Sequence, residues 1–145
     1  MKKLVIILIA LLSFGAIADA QVSVTKKTKI ERLISLRGGY ISMSRHNDLI
    51  YLSVWSDNRF DEAYIINLGR DKATAMQSLE ALIEIANTIK KDESIDFNDG
   101  LHEYYVYRGL LKGEIWIKAN DRAGYGITSK GELKKILDHL TFEVY

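Results

Sequence analysis

The sequence predicts an α+β fold, an antiparallel meander sheet of about six or seven strands with two helices packed on one face. Three observations carry this reading. Residues 71–91 place Ala75, Leu79, Leu82, Ala86 and Ile89 at alternating steps of four and three, the period of one helix face. Segments on either side alternate apolar with polar residues and are separated by Gly, Asn and Asp turn signals. A second stripe, Leu133, Ile136, Leu137 and Leu140, follows Ser129-Lys130-Gly131-Glu132, which has the Ser and Glu of a capping box.

Taken in order, the chain opens on a leader. Lys2 and Lys3 precede an unbroken apolar run over residues 4–12, and Ala18-Asp19-Ala20 has the small-x-small pattern of a cleavage site before Gln21. That run is short for a membrane span, which needs about 20 apolar residues. Residues 1–20 therefore read as a signal peptide, and residues 21–145 as a single exported domain in the periplasm or the medium, with no membrane span after cleavage.

A frayed start leads into a strand over residues 30–36, and Arg37-Gly38-Gly39 is a turn. Strands are expected at residues 40–44, 49–55 and 63–68, with a turn at His46-Asn47-Asp48 and a polar loop over residues 56–59. Asp71 is the N-cap expected for the first helix, whose outer side carries Gln77, Glu80, Glu84 and Asn87. Residues 90–100 read as an acidic connecting loop, followed by strands at 101–111, 114–119 and 125–128. The second helix is expected to end near His139, and residues 141–145 to form an edge strand or a docked tail. The two halves share a plan, in which Asp57-Asn58-Arg59 and Asn120-Asp121-Arg122 occupy matching loops.

Composition excludes several activities. The chain has no cysteine, which removes disulfides and thiol catalysis, and no proline. Loss of Lys2, Lys3 and Asp19 with the leader would leave 18 basic and 18 acidic residues, a balance that argues against nucleic acid as a partner. The charge is uneven. Lys26, Lys27, Lys29, Arg32, Arg37 and Arg45 cluster early, while Asp92, Glu93, Asp96, Asp99 and Glu103 cluster late. These clusters read as solvated surfaces, or the first as a patch for an anionic ligand.

Motifs are sparse. Counting an EF-hand from Asp96 puts Gly100 at position 5 and Tyr107 at position 12, where Gly is required at position 6 and Glu at 12, so an Asx-type turn fits better. His46, His102 and His139 have no metal-ligand spacing, and no nucleophile elbow or Gly-rich phosphate loop is present. Neither a metal nor a cofactor is expected. A hydrolase would have to draw its carboxylates from Asp57, Asp61, Glu62 and Asp121, with Arg59 and Arg122 holding an anionic group; these are also ordinary turn residues.

The most suggestive feature is aromatic. If Ile50, Leu52 and Val54 face the helices, Tyr51 and Trp55 point to the opposite side; if Ile115 and Ile117 do, Trp116 and Lys118 point outward. Tyr107 joins them, with Tyr105 or Tyr104 depending on register. Such an open face suits a non-enzymatic binding module for a protein, peptide or glycan, with Tyr51, Trp55, Trp116, Lys118 and Tyr107 as its contact residues. The same face could seal a structural homodimer. Strands-then-helix units with an open sheet also describe some single-strand nucleic-acid-binding folds, at the level of topology alone.

Overall fold

A computed structural model describes residues 30–58 and 60–142. The proposed signal peptide, Arg59 and the last three residues of the expected tail lie outside the described residues. The chain forms β1 (Glu31–Leu36), a short 3₁₀ turn (Arg37–Gly39), β2 (Ile41–His46), β3 (Leu49–Val54), β4 (Tyr64–Gly69) and α1 (Lys72–Thr88), then β5 (Ser94–Asn98), β6 (Glu103–Arg108), β7 (Glu114–Lys118), β8 (Gly126–Ser129) and α2 (Lys130–Phe142). The α+β class holds. Among the described residues no helix is long and apolar enough to cross a membrane.

The expected single sheet is corrected to two. Among the described residues, eight strands form two four-stranded antiparallel meanders, β1-β2-β3-β4 and β5-β6-β7-β8, each followed by a helix. The missed strand is β5, inside the segment read as an acidic loop. Its sequence SIDFN turns Ile95 and Phe97 toward the core, while Ser94, Asp96 and Asn98 stay exposed. Charge hid a period-two pattern only five residues long.

β5 does not extend the first sheet because the outer edge of β4 is already closed. The Asp99 side chain, fully buried, accepts from the Asn67 amide at 2.7 Å, and the Asn67 side chain donates to the Asp99 carbonyl at 3.1 Å. Tyr104, from β6, donates its hydroxyl to the Ile65 carbonyl at 2.7 Å. An edge strand covered in this way is unavailable for further pairing. Asp99 also accepts from the amides of Leu101 and His102, and Asn98 from that of Gly100, so the loop is the Asx-type turn that the residues suggest.

One core joins both units. The inward faces of β2, β3 and β4 supply Ile41, Met43, Leu52 and Ile66; those of β6 and β7 supply Val106, Ile115 and Ile117. Helix α1 covers them with Ala75, Leu79, Leu82, Ile83 and Ala86, and α2 with Leu133, Ile136 and Leu140. The helices also pack against each other. Asp71 caps α1, accepting from the Thr74 amide at 2.8 Å. The capping box at α2 forms as expected, with the Ser129 hydroxyl and Glu132 carboxylate exchanging backbone bonds. This helix runs past His139 to Phe142, so the start of the expected tail is its last turn.

The two sheets meet at a seam. Beyond β3 the chain stays extended, and Ser56 forms a bridge with Gly126 at the start of β8. Asp57 donates its amide to the Tyr125 carbonyl at 2.9 Å, and Ile127 its amide to the Trp55 carbonyl at 3.4 Å. The Gly126 position is tight: a Cβ there would lie 3.0 Å from the Tyr64 ring and 3.1 Å from Val54, so those side chains would have to give by a few tenths of an ångström.

Candidate functional site

Pairing across the seam assembles on the outer surface a row that neither sheet holds alone. Tyr107 pairs with Trp116, and Trp116 with Ile127. The bridge sets Ile127 opposite Trp55, whose amide donates to the Tyr40 carbonyl at 2.9 Å. Directly paired residues share a face, so the row reads Tyr107, Trp116, Ile127, Trp55, Tyr40. At about 4.8 Å per strand it spans about 19 Å. The next rung out holds Tyr105 opposite Lys118.

The members differ in availability. Trp116 is half-buried; its ring stacks on Tyr125 at 4.4 Å and 19°, and its indole N–H donates to Glu114 Oε1 at 3.0 Å. One ring face and the polar edge are therefore already used. Trp55 is 43% exposed, and its indole N–H has no partner among the described residues. Tyr40 is more exposed still and carries the Arg37 guanidinium 5.8 Å above its ring. Trp55 and Tyr40 line an open groove of about 390 Å³ with Arg32, Ser56, Gly38 and Gly39. Gly38 and Gly39 take φ of 65° and 103°, which side chains rarely adopt, so the turn leaves that part of the groove without side chains.

Known protein families, characterised proteins and solved structures offer no match to this chain.

Of the residues expected to make the binding face, Trp55, Trp116 and Tyr107 fall in one row, and Lys118 lies one same-face step from it. Tyr51 is half-buried between Ser44 and Asn67, about 13 Å along β3 from Trp55, and stands outside the row. Tyr105 and Tyr107 face outward, while Tyr104 is buried. Sequence reasoning missed Tyr40, Tyr125 and Ile127. Tyr40 enters beside Trp55, and Tyr125 and Ile127 beside Trp116; only the contact of Ile127 with Trp55 across the seam, which no local pattern encodes, joins the two sets into one row.

The matching loops around Asp57 and Asn120 also come together, but as a structural tie. Arg122 donates to the carbonyls of Ala63, at 3.1 Å, and Glu62, pairs with Asp61 at 2.9 Å, and lies 4.0 Å over the Tyr64 ring. Its hydrogen bond and charge hold the Asp61 carboxyl below the ordinary value of 3.8. Asp57 and Asp61 share the Ser56 hydroxyl, at 3.2 and 3.3 Å. Gly124 closes the space between them: a Cβ there would lie 2.8 Å from both Asp61 Oδ2 and Ser56 Oγ. The Tyr64 hydroxyl donates to the Gly124 carbonyl from below. Burial raises the Tyr64 phenol and pushes that of Tyr104 up to about 12, so both remain donors at neutral pH. Among the described residues no three His, Asp or Glu side chains are grouped to hold a metal ion.

Proposed function

We propose that the protein is an exported, non-enzymatic binding module whose outer face takes an elongated protein segment, peptide or glycan strand along the aromatic row. The observation that carries this reading is Trp55, a large aromatic side chain left half in water beside Tyr40, in line with Trp116 and Tyr107. Flat rings with exposed faces stack on the apolar faces of sugars and on peptide side chains. Asp57, Asp96 and Glu114 stand among the aromatics beside Lys118. That mixed polarity favours hydrogen-bonding polymers over a uniform polyanion. Export rests on residues 1–20 and gives the module access to envelope or extracellular polymers.

Arrays of immobilised oligosaccharides and peptides, probed with the purified protein, test the proposal. A ligand found there should lose about 30-fold in affinity on Trp55→Ala, the cost of truncating a central aromatic anchor, while the variant stays folded. Tyr51→Ala should change affinity little. Equal binding by Trp55→Ala and the parent would remove the row as the site. A homodimer buried through this face, detected by light scattering and broken by Trp55→Ala, would replace the proposal with self-association.

A further inference from the structure

The hairpin joining β6 to β7 ends in two adjacent leucines that touch no core. Leu110 and Leu111 are 83% and 68% exposed. The turn behind them is tied closely. Gly109 donates to the Glu114 carbonyl at 2.8 Å, Glu114 to the Leu111 carbonyl at 3.1 Å, and the Leu110 amide to Glu114 Oε1 at 3.0 Å. The Lys130 amide holds the Gly113 carbonyl at 2.7 Å, docking the turn on the start of α2. The leucines are thus held on a braced projection.

Beside this tip lies a cleft of about 500 Å³ between the hairpin, the end of α1 and the start of α2. Arg108, Lys112 and Lys130 line it, together with Asn87 and Ser129, and no carboxylate does. None of the three cations has an ion-pair partner among the described residues. The neighbouring acids are committed elsewhere. Glu132 serves the capping box and Arg37, and Glu114 serves the Leu110 amide and the Trp116 indole.

We infer that the Leu110–Leu111 tip and this basic cleft dock the protein on an anionic phospholipid surface, the leucines entering the acyl boundary and Arg108, Lys112 and Lys130 meeting lipid phosphates. Aliphatic side chains at a convex tip need a matching pocket in a protein partner but only a fluid phase in a bilayer. Arg108 and Lys112 stand one or two residues from the apolar wedge and Lys130 is held against the same turn, a collar that matches the layering of headgroup phosphate over acyl chain. The site is separate from the aromatic row and does not depend on its ligand.

Because the chain lacks cysteine, Leu111→Cys carries a single environment-sensitive label at the tip. With vesicles of phosphatidylcholine and phosphatidylglycerol, the label should shift to the blue and be quenched by brominated acyl chains; with phosphatidylcholine alone the response should be much weaker. Arg108→Gln, Lys112→Gln and Lys130→Gln should each weaken the response about five-fold. Leu110→Ser in the labelled chain should abolish the quenching, with circular dichroism confirming the fold. The readout sits at the tip, so binding through the apolar run near the amino terminus does not produce it. A label that stays in water with phosphatidylglycerol vesicles, or a response indifferent to the three cations, overturns the proposal. So does binding of glycerol 1-phosphate without vesicle insertion, which would leave a soluble-anion site.

Discussion

Replacing Arg122 should cost more than any other surface-reaching side chain described here. Its side chain is 21% exposed, and its guanidinium satisfies two carbonyls, those of Glu62 and Ala63, that would otherwise lack this partner. A hydrogen bond from a charged donor contributes about 1.5 kcal/mol at the low end of its range, the end suited to a site that water reaches. The stack over Tyr64 contributes about 1 kcal/mol more. The pair with Asp61 adds little, because solvent screens it. Some of this returns as water enters, so Arg122→Ala should lose about 3 kcal/mol and Arg122→Lys about half as much, since lysine keeps the charge but not the planar fork. Urea unfolding followed by circular dichroism reads this as a midpoint lowered by about 1.5 M at unchanged slope. A loss below about 1 kcal/mol for Arg122→Ala would refute the reasoning, because a tie that weak cannot hold the two loops together.

Two further outcomes concern pH. Tyr104 ionises only near 12, against 10.0 for a free phenol, owing chiefly to burial; the stability it contributes is complete below pH 10 and is lost as pH rises toward 12. Tyr104→Phe should flatten that alkaline limb in urea titrations and cost about 1 kcal/mol at neutral pH through the bond to Ile65. On the acid side, Arg122 holds Asp61, and the Thr74 amide and hydroxyl hold Asp71, below the ordinary 3.8. Their contribution is present above that value and is lost as pH falls through the lowered ones. Asp71→Ala should lower the neutral-pH midpoint and weaken the acid dependence, whereas Asp71→Asn should keep most of the cap; carboxyl chemical shifts followed by NMR check the two titrations directly.

Periodicity made most of the fold legible. Both helices, seven of the eight strands and both caps follow from spacing and capping residues that act over a few positions. The inward set Ile50, Leu52 and Val54 and the outward Trp55 are alternation alone. What failed was whatever depends on distant partners. β5 was hidden by acid residues that face water, and the split into two sheets depends on Asp99 and Tyr104 closing the edge of β4. Of the site, Trp55, Trp116 and Tyr107 were readable as outward aromatics. Their alignment was not, because it depends on Ser56 bridging Gly126 seventy residues later, and Tyr40 enters only through its bond to Trp55.

That bridge has a thermodynamic corollary. Tyr40 and Trp55 belong to the amino-terminal unit, Trp116 and Tyr107 to the carboxy-terminal one, so an occupant lying along all four sutures the halves. The two halves share one core, so saturation should raise the single temperature at which that core melts, and that temperature should climb with ligand concentration. Neither half owns the whole platform, so an occupant too short to cross the join should bind more weakly than one that reaches over it.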